Sequence, residues 1–247
     1  MLTTQPLAYR DGEISLNGFL AWDSVHGARR PGILVVHGGA GLDDHAKGRA
    51  RRFAELGFLA LACDMYGDGV TGNRQRIVEH LTEVRREPGK LRRRAQAALE
   101  ILSSHPLVDG RLAAVGYCFG GLVVLEVARS GAELAGVVSV HGSLETTAPA
   151  RAATIKAKIL VCHGALDPHV PMTQVTAFAE EMNRAGADYQ IVIYGRAMHG
   201  FTHETATGQT PGVAYHALSD ARSSTAIQAF FEEIFQGDGV PRRFRSG

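Results

Sequence analysis

The chain of 247 residues carries 26 Lys and Arg against 25 Asp and Glu, a formal net charge of +1. That balance excludes a general electrostatic pull toward nucleic acid or an anionic membrane surface. The length suits one large α/β domain or two small ones, and a hydrophobic content of 45% is enough for a sizeable core.

The segments LAYR (7–10) and EISLNGFLAWD (13–23) read as a hairpin joined at Asp11-Gly12. ILVVH (33–37) is a short continuous apolar run, as expected of a strand covered on both faces. GGAGLDD then leads into a helix that ends at Gly57, and FLALACDMYG is a second buried strand. Residues 74–87 and 88–104 read as two helices, with Pro88 opening the second where its missing N–H costs little. RLAAVGY, LAGVVSVHG, AKILVCHG and DYQIVIYG follow as strands. FGGLVVLEVARSG is a helix, and another runs from about Pro171 to Ala185 before Gly186. AYHALSDARSSTAIQAFFEEIF is the last helix, and the tail GDGVPRRFRSG is expected to fray.

Strands alternating with helices imply right-handed crossovers and a mostly parallel sheet with helices on both faces. No repeat, low-complexity segment or long linker divides the chain, so one domain over residues 1–247 is expected. The basic clusters RARR (49–52) and RREPGKLRRR (85–94) read as solvated helix faces. MLTTQPLAYRDG has no apolar signal-peptide core, and no later run approaches a membrane span. The cysteines Cys63, Cys118 and Cys162 cannot all pair and lack metal-ligand spacing, which favours a reducing cytoplasm.

In an open parallel sheet the reactive groups collect at the carboxyl ends of the strands. Here those ends carry His37, Asp64, Cys118, His141, Asp167 and His199. Cys118 lies in GYCFGG (116–121), directly after one strand and before a helix. Gly116-x-Cys118-x-Gly120 is the spacing of a nucleophile elbow with Cys in place of Ser. Side chains two residues either way would collide with the neighbouring strand and helix, and the helix N-terminus favours a thiolate. Buried cysteines are otherwise ordinary core residues, the reading that suits Cys63 and Cys162. An elbow needs an acid and then a histidine. Asp167 follows Cys118 by 49 residues in ILVCHGALDPHV, and His199 follows Asp167 by 32 in VIYGRAMHGF. Singly they read as a turn residue and a helix cap. Together, in this order and at these junctions, they read as the partners of a nucleophile.

On GYCFGG, HGALDP and MHGF, supported by DMYG (64–67), the chain resembles the α/β-hydrolases over nearly its whole length, and among them the dienelactone hydrolase family. The resemblance implies an α/β-hydrolase fold and a cofactor-independent hydrolase of small esters or lactones. Cys118, Asp167 and His199 would form its triad, with a thioester as the acyl-enzyme. The strand–turn–helix geometry makes the Phe119 N–H one oxyanion donor, and matching GGAG to the family pattern makes Gly39 the other.

The chain departs from the family at two positions. Gly38 stands where a glutamate contacts the resting cysteine, and His203 where an arginine holds the substrate carboxylate. Arg74 and Arg76 offer other sources of positive charge, and His37 and His141 are further candidates for substrate contact. No Gly-x-Gly-x-x-Gly or Walker pattern follows a strand and the histidines lack ligand spacing, so neither metal nor other cofactor is expected. The expected partner is a small ester or lactone. Acyl transfer or thioesterase chemistry on the same triad, and a non-catalytic ligand-binding scaffold, are the alternatives; an intact triad argues against the scaffold.

Overall fold

The computed structural model describes residues 1–25, 29–67, 70 and 74–236. In chain order its elements are β1 (Leu2–Asp11), β2 (Ile14–Asp23), β3 (Arg30–Val36), α1 (Asp44–Glu55), β4 (Leu59–Cys63), α2 (Arg74–Arg86) and α3 (Pro88–Ser103). They continue as β5 (Val108–Tyr117), α4 (Phe119–Arg129), β6 (Gly136–Val140), β7 (Lys158–Gly164), α5 (Met172–Ala185), β8 (Tyr189–Tyr194) and α6 (Ala217–Gln236). All eight strands form one sheet in the order β1-β2-β4-β3-β5-β6-β7-β8. β1 and β2 form the antiparallel hairpin, its last pair Asp11↔Ile14 leaving Gly12 and Glu13 as the loop, with Gly12 at φ +58°. β2 runs antiparallel to β4, and every later pairing is parallel.

Alternation along the strands builds two cores. Leu34, Val36, Ala114, Val137 and Val161 face α3, α4 and α5, packing with Leu99, Val124 and Phe178. Ile33, Val35, Ala113, Val115 and Leu160 face α1 and α6, packing with Phe53 and Phe231. Both faces of the central strands are thus covered, which is why their sequences read as unbroken apolar runs. The chain leaves β3 toward β4 on one side and returns to β5 on the other, so the crevice for a ligand opens at the carboxyl ends of β3 and β5.

Three local expectations are revised. The last helix starts at Ala217, not Ala214, because Ala214 and His216 donate their N–H groups to the carbonyls of His199 (3.2 Å) and Phe201 (3.0 Å). Those bonds tie the loop that carries His199. Arg49 is not a solvated residue: it donates to Asp220 (2.9 Å) and to the Thr202 carbonyl (2.8 Å). Arg94 is buried, bonding Asp11 (2.8 Å) and the Met65 carbonyl (2.8 Å). The tail GDGVPRRFRSG lies outside the described residues. Among the described residues no helix is long and apolar enough to cross a membrane.

Candidate active site

Cys118 joins β5 to α4 at φ +53° and ψ −114°, backbone strain of about 1–3 kcal/mol that the surroundings must enforce. The glycines show how. A methyl group on Gly116 would lie 1.9 Å from the Gly120 carbonyl oxygen, and one on Gly120 would lie 2.2 Å from the Val36 oxygen. The helix therefore rests directly on β3 and β5. The Cys118 N–H is shared between the Val140 carbonyl (3.0 Å) and Nδ1 of His141 (3.1 Å).

The loop after β8 brings Nε2 of His199 to 3.0 Å from Sγ of Cys118, and the loop after β7 brings Oδ2 of Asp167 to 2.8 Å from Nδ1 of His199. The other carboxylate oxygen of Asp167 accepts the N–H groups of His169 (2.8 Å) and Val170 (3.1 Å), which fixes its orientation. Burial alone would raise the Cys118 pKa. The hydrogen bond and charge of His199 outweigh it, aided by backbone bonds from Gly39 and Phe119, and hold the thiol below its ordinary value. Burial likewise works to lower His199, but the bonds to Asp167 and Cys118 carry it up to about 10. The two shifts run in opposite directions across a bond of 3.0 Å, the directions that favour a thiolate beside an imidazolium.

The Gly39 donor is held as firmly. Nε2 of His37 accepts the Met65 N–H (3.1 Å), so its proton is on Nδ1, which donates to the Gly38 carbonyl (2.6 Å). Tyr66 donates its hydroxyl to the Gly39 carbonyl (2.9 Å). The Gly38–Gly39 peptide, whose N–H faces the sulfur, is thereby locked in orientation.

Two of the histidines named as candidates for substrate contact have other partners. His37 and His141 are fully buried with both ring nitrogens engaged. His141 accepts the Cys118 N–H and bonds the Thr202 hydroxyl (2.9 Å), supporting the elbow from behind. Asp64 organises its own turn, accepting the N–H groups of Tyr66 and Gly67 (both 2.9 Å). Cys63 and Cys162 are buried; burial pushes the Cys63 thiol far up and Cys162 up to about 12. Arg76 lies on α2, partly exposed, outside the hydrogen-bonded line; the side chain of Arg74 lies outside the described residues.

His203 does border the site. A methyl group on Gly38 would sit 3.7 Å from Cβ of Cys118 and 3.7 Å from Nε2 of His203. Its ring stacks on His45, centroids 3.7 Å apart, and burial holds it below its ordinary pKa. His45 and Thr202 escape a motif search, since Thr202 matters only by bridging His141 and His45.

A mostly parallel sheet with a strained cysteine after one strand, and an imidazole and a carboxylate supplied by later loops, fits the α/β-hydrolase class. Within that class the residues 16–235 match the dienelactone hydrolase family, and the chain is a hydrolase belonging to it. A dienelactone hydrolase-like promiscuous phosphotriesterase from metagenomic libraries is 41% identical, with a TM-score of 0.89 over 94% of this chain and 98% of that one. The structure named m3DLH is 39% identical at a TM-score of 0.89, with the same coverage of 94% and 98%. An uncharacterized protein of Caenorhabditis elegans is 39% identical over 151 residues, 60% of this chain and 96% of its own.

Proposed function

We propose that the protein hydrolyses small carboxylic esters or lactones without a cofactor, using Cys118 as nucleophile. The observation that carries this reading is the unbroken line Asp167–His199–Cys118, with bonds of 2.8 and 3.0 Å, beside two fixed N–H donors. The thiolate attacks the acyl carbon, and the carbonyl electron pair moves onto oxygen, held by the N–H groups of Phe119 and Gly39. As the tetrahedral centre collapses, the C–O bond breaks and the alcohol takes the Nε2 proton of His199. In a lactone that alcohol stays tethered to the acyl group. Water then gives its proton to His199 and attacks the thioester; the second collapse releases the acid and restores the thiolate. Asp167 keeps the imidazole in the tautomer both steps require.

The test is hydrolysis of p-nitrophenyl esters and small lactones by the protein and by Cys118→Ala. Loss of turnover in the variant is expected, and a variant that keeps its rate overturns the reading. A second electrophile deserves the same assay, because a relative at 41% identity is described as a promiscuous phosphotriesterase. The same thiolate would displace p-nitrophenolate from a dialkyl p-nitrophenyl phosphate, forming an S–P bond that water then cleaves. Mass analysis of the trapped enzyme distinguishes an acylated from a phosphorylated Cys118.

A further inference from the structure

The sheet ends at β1 on one side and at β8 on the other. β1 carries Pro6 in its middle, a residue with no N–H to offer another strand. β8 carries neither proline nor charge. Two bonds identify its inner side: the Ile159 N–H donates to the Asp188 carbonyl (2.9 Å) and the Ala165 N–H to the Tyr194 carbonyl (3.0 Å). Backbone groups alternate sides along a strand, so those of Gln190 and Val192 also face β7. Those of Tyr189, Ile191 and Ile193 face outward. Among the described residues no strand or loop pairs with these outward groups.

Apolar surface accompanies the open edge. Ile193 is 45% exposed, and in the loops at the end of β8 Leu166 and Met198 are 52% and 37% exposed. The Leu166 N–H donates to the Ala197 carbonyl (2.9 Å), which joins those two loops beside the strand. An unprotected apolar edge is a template for another strand.

The charges select which strand. Asp188 precedes β8 and Arg196 follows it, so the strand begins beside an acid and ends beside a base. The Asp188 carboxylate is 71% exposed; Nζ of Lys158 comes to 3.7 Å but lies closer to Glu233, at 3.1 Å. Arg196 lines a cavity of about 320 Å³ with Tyr194, Leu218 and Arg222, and no acid is among the lining residues. A parallel copy of β8 would set like charges together at both ends, whereas an antiparallel copy sets each charge beside its opposite. The outward groups of one copy must meet the outward groups of the other, so the twofold axis passes through a residue and not between two. Val192 lies midway between Asp188 and Arg196. An axis there places Ile191 opposite Ile193 of the partner subunit, where both pairs of outward groups can bond.

We propose that two copies of the chain pair antiparallel through β8 about a twofold axis at Val192, joining their eight-stranded sheets into one. The proposal does not depend on the hydrolase reading.

Sedimentation and light scattering over roughly 1–100 μM protein are expected to show a monomer–dimer equilibrium. Ile193→Pro removes an outward N–H without touching a bond to β7, and is expected to abolish the dimer while circular dichroism shows an intact fold. Arg196→Asp is expected to weaken the dimer at least tenfold, and adding Asp188→Lys to it to restore the affinity to within threefold. The axis itself is tested by Val192→Cys in a Cys118→Ala background. Directly opposed residues that are not hydrogen-bonded to each other lie about 4.5 Å apart at Cα, within reach of a disulfide. Mild oxidation should therefore cross-link that protein and leave the Ile191→Cys counterpart, whose two copies are offset along the strand, as separate chains. A monomer throughout the concentration range overturns the proposal. So does a dimer that survives in folded Ile193→Pro protein, or one that does not cross-link through Val192→Cys, because its interface is then elsewhere. If Ile193→Pro fails to fold, the charge exchange and the cross-link decide.

Discussion

Replacing Asp167 by Asn tests the catalytic line at its most constrained point. One carboxylate oxygen of Asp167 accepts two backbone N–H groups, at 2.8 and 3.1 Å, while the other faces His199 at 2.8 Å. In Asp167→Asn those two donors capture the amide oxygen, so the NH2 group must face Nδ1 of His199. The imidazole proton is driven to Nε2, where it points at sulfur, and the base can no longer accept the thiol proton. The electrostatic loss adds to this. The rise of His199 from 6.5 to about 10 corresponds to about 5 kcal/mol of imidazolium stabilisation, shared between Asp167 and Cys118. An even share is roughly 2–3 kcal/mol, one to two orders of magnitude in the paired state. With the tautomer penalty, kcat/KM for p-nitrophenyl acetate is expected to fall by roughly 10²–10⁴. The melting temperature should move by only a few degrees, since the loop keeps both backbone bonds. A folded variant within tenfold of the starting kcat/KM would show that His199 is oriented by something other than Asp167.

Iodoacetamide near neutral pH should alkylate Cys118 first, because His199 and two backbone donors hold its thiol below the ordinary value while burial pushes Cys63 and Cys162 up; mass mapping that found either of those labelled faster would contradict the assignment. Neutral esters should be hydrolysed at least as well as carboxylated ones of matched size at pH 8, since the partly buried His203, held below its ordinary pKa, is neutral there. His203→Arg should shift kcat/KM toward the carboxylated member, and a strong carboxylate preference in the unmodified protein would refute this. His37→Asn should lower kcat at least tenfold with KM changed less than threefold, because the Gly39 N–H loses its fixed direction; an unchanged kcat would mean the peptide is held without the imidazole.

What the chain reveals before folding is what depends on near neighbours. Gly116-x-Cys118-x-Gly120 could be read as an elbow by its spacing, though only the clash at Gly116 is local, with Gly120 and Gly121; a methyl group on Gly120 would strike the backbone of Val36 and His37 on the far side of the chain's first crossover. The apolar runs of β3, β4 and β5 were legible because both their faces are covered. Arg49, Arg94 and Arg129 misled or escaped notice for the opposite reason. Their partners Asp220, Asp11 and Glu181 lie 171, 83 and 52 residues away, so composition cannot tell a buried ion pair from a wet surface. His37, His141 and His199 all follow strands, yet only His199 faces the sulfur. Which imidazole is left for the sulfur depends on which ones meet a backbone N–H, as His37 meets that of Met65 and His141 that of Cys118.

The charges around Cys118 converge on one kind of substrate. Gly38 leaves no carboxylate to compete for the bond of 3.0 Å between His199 and Cys118. His203 supplies a neutral ring where a guanidinium would attract an anion. Arg49, bordering the cavity beyond His203, is already engaged by Asp220 and the Thr202 carbonyl. A carboxylated substrate would find a neutral ring and an engaged guanidinium there, a lack that a neutral ester does not feel, and the His203→Arg protein tests that difference.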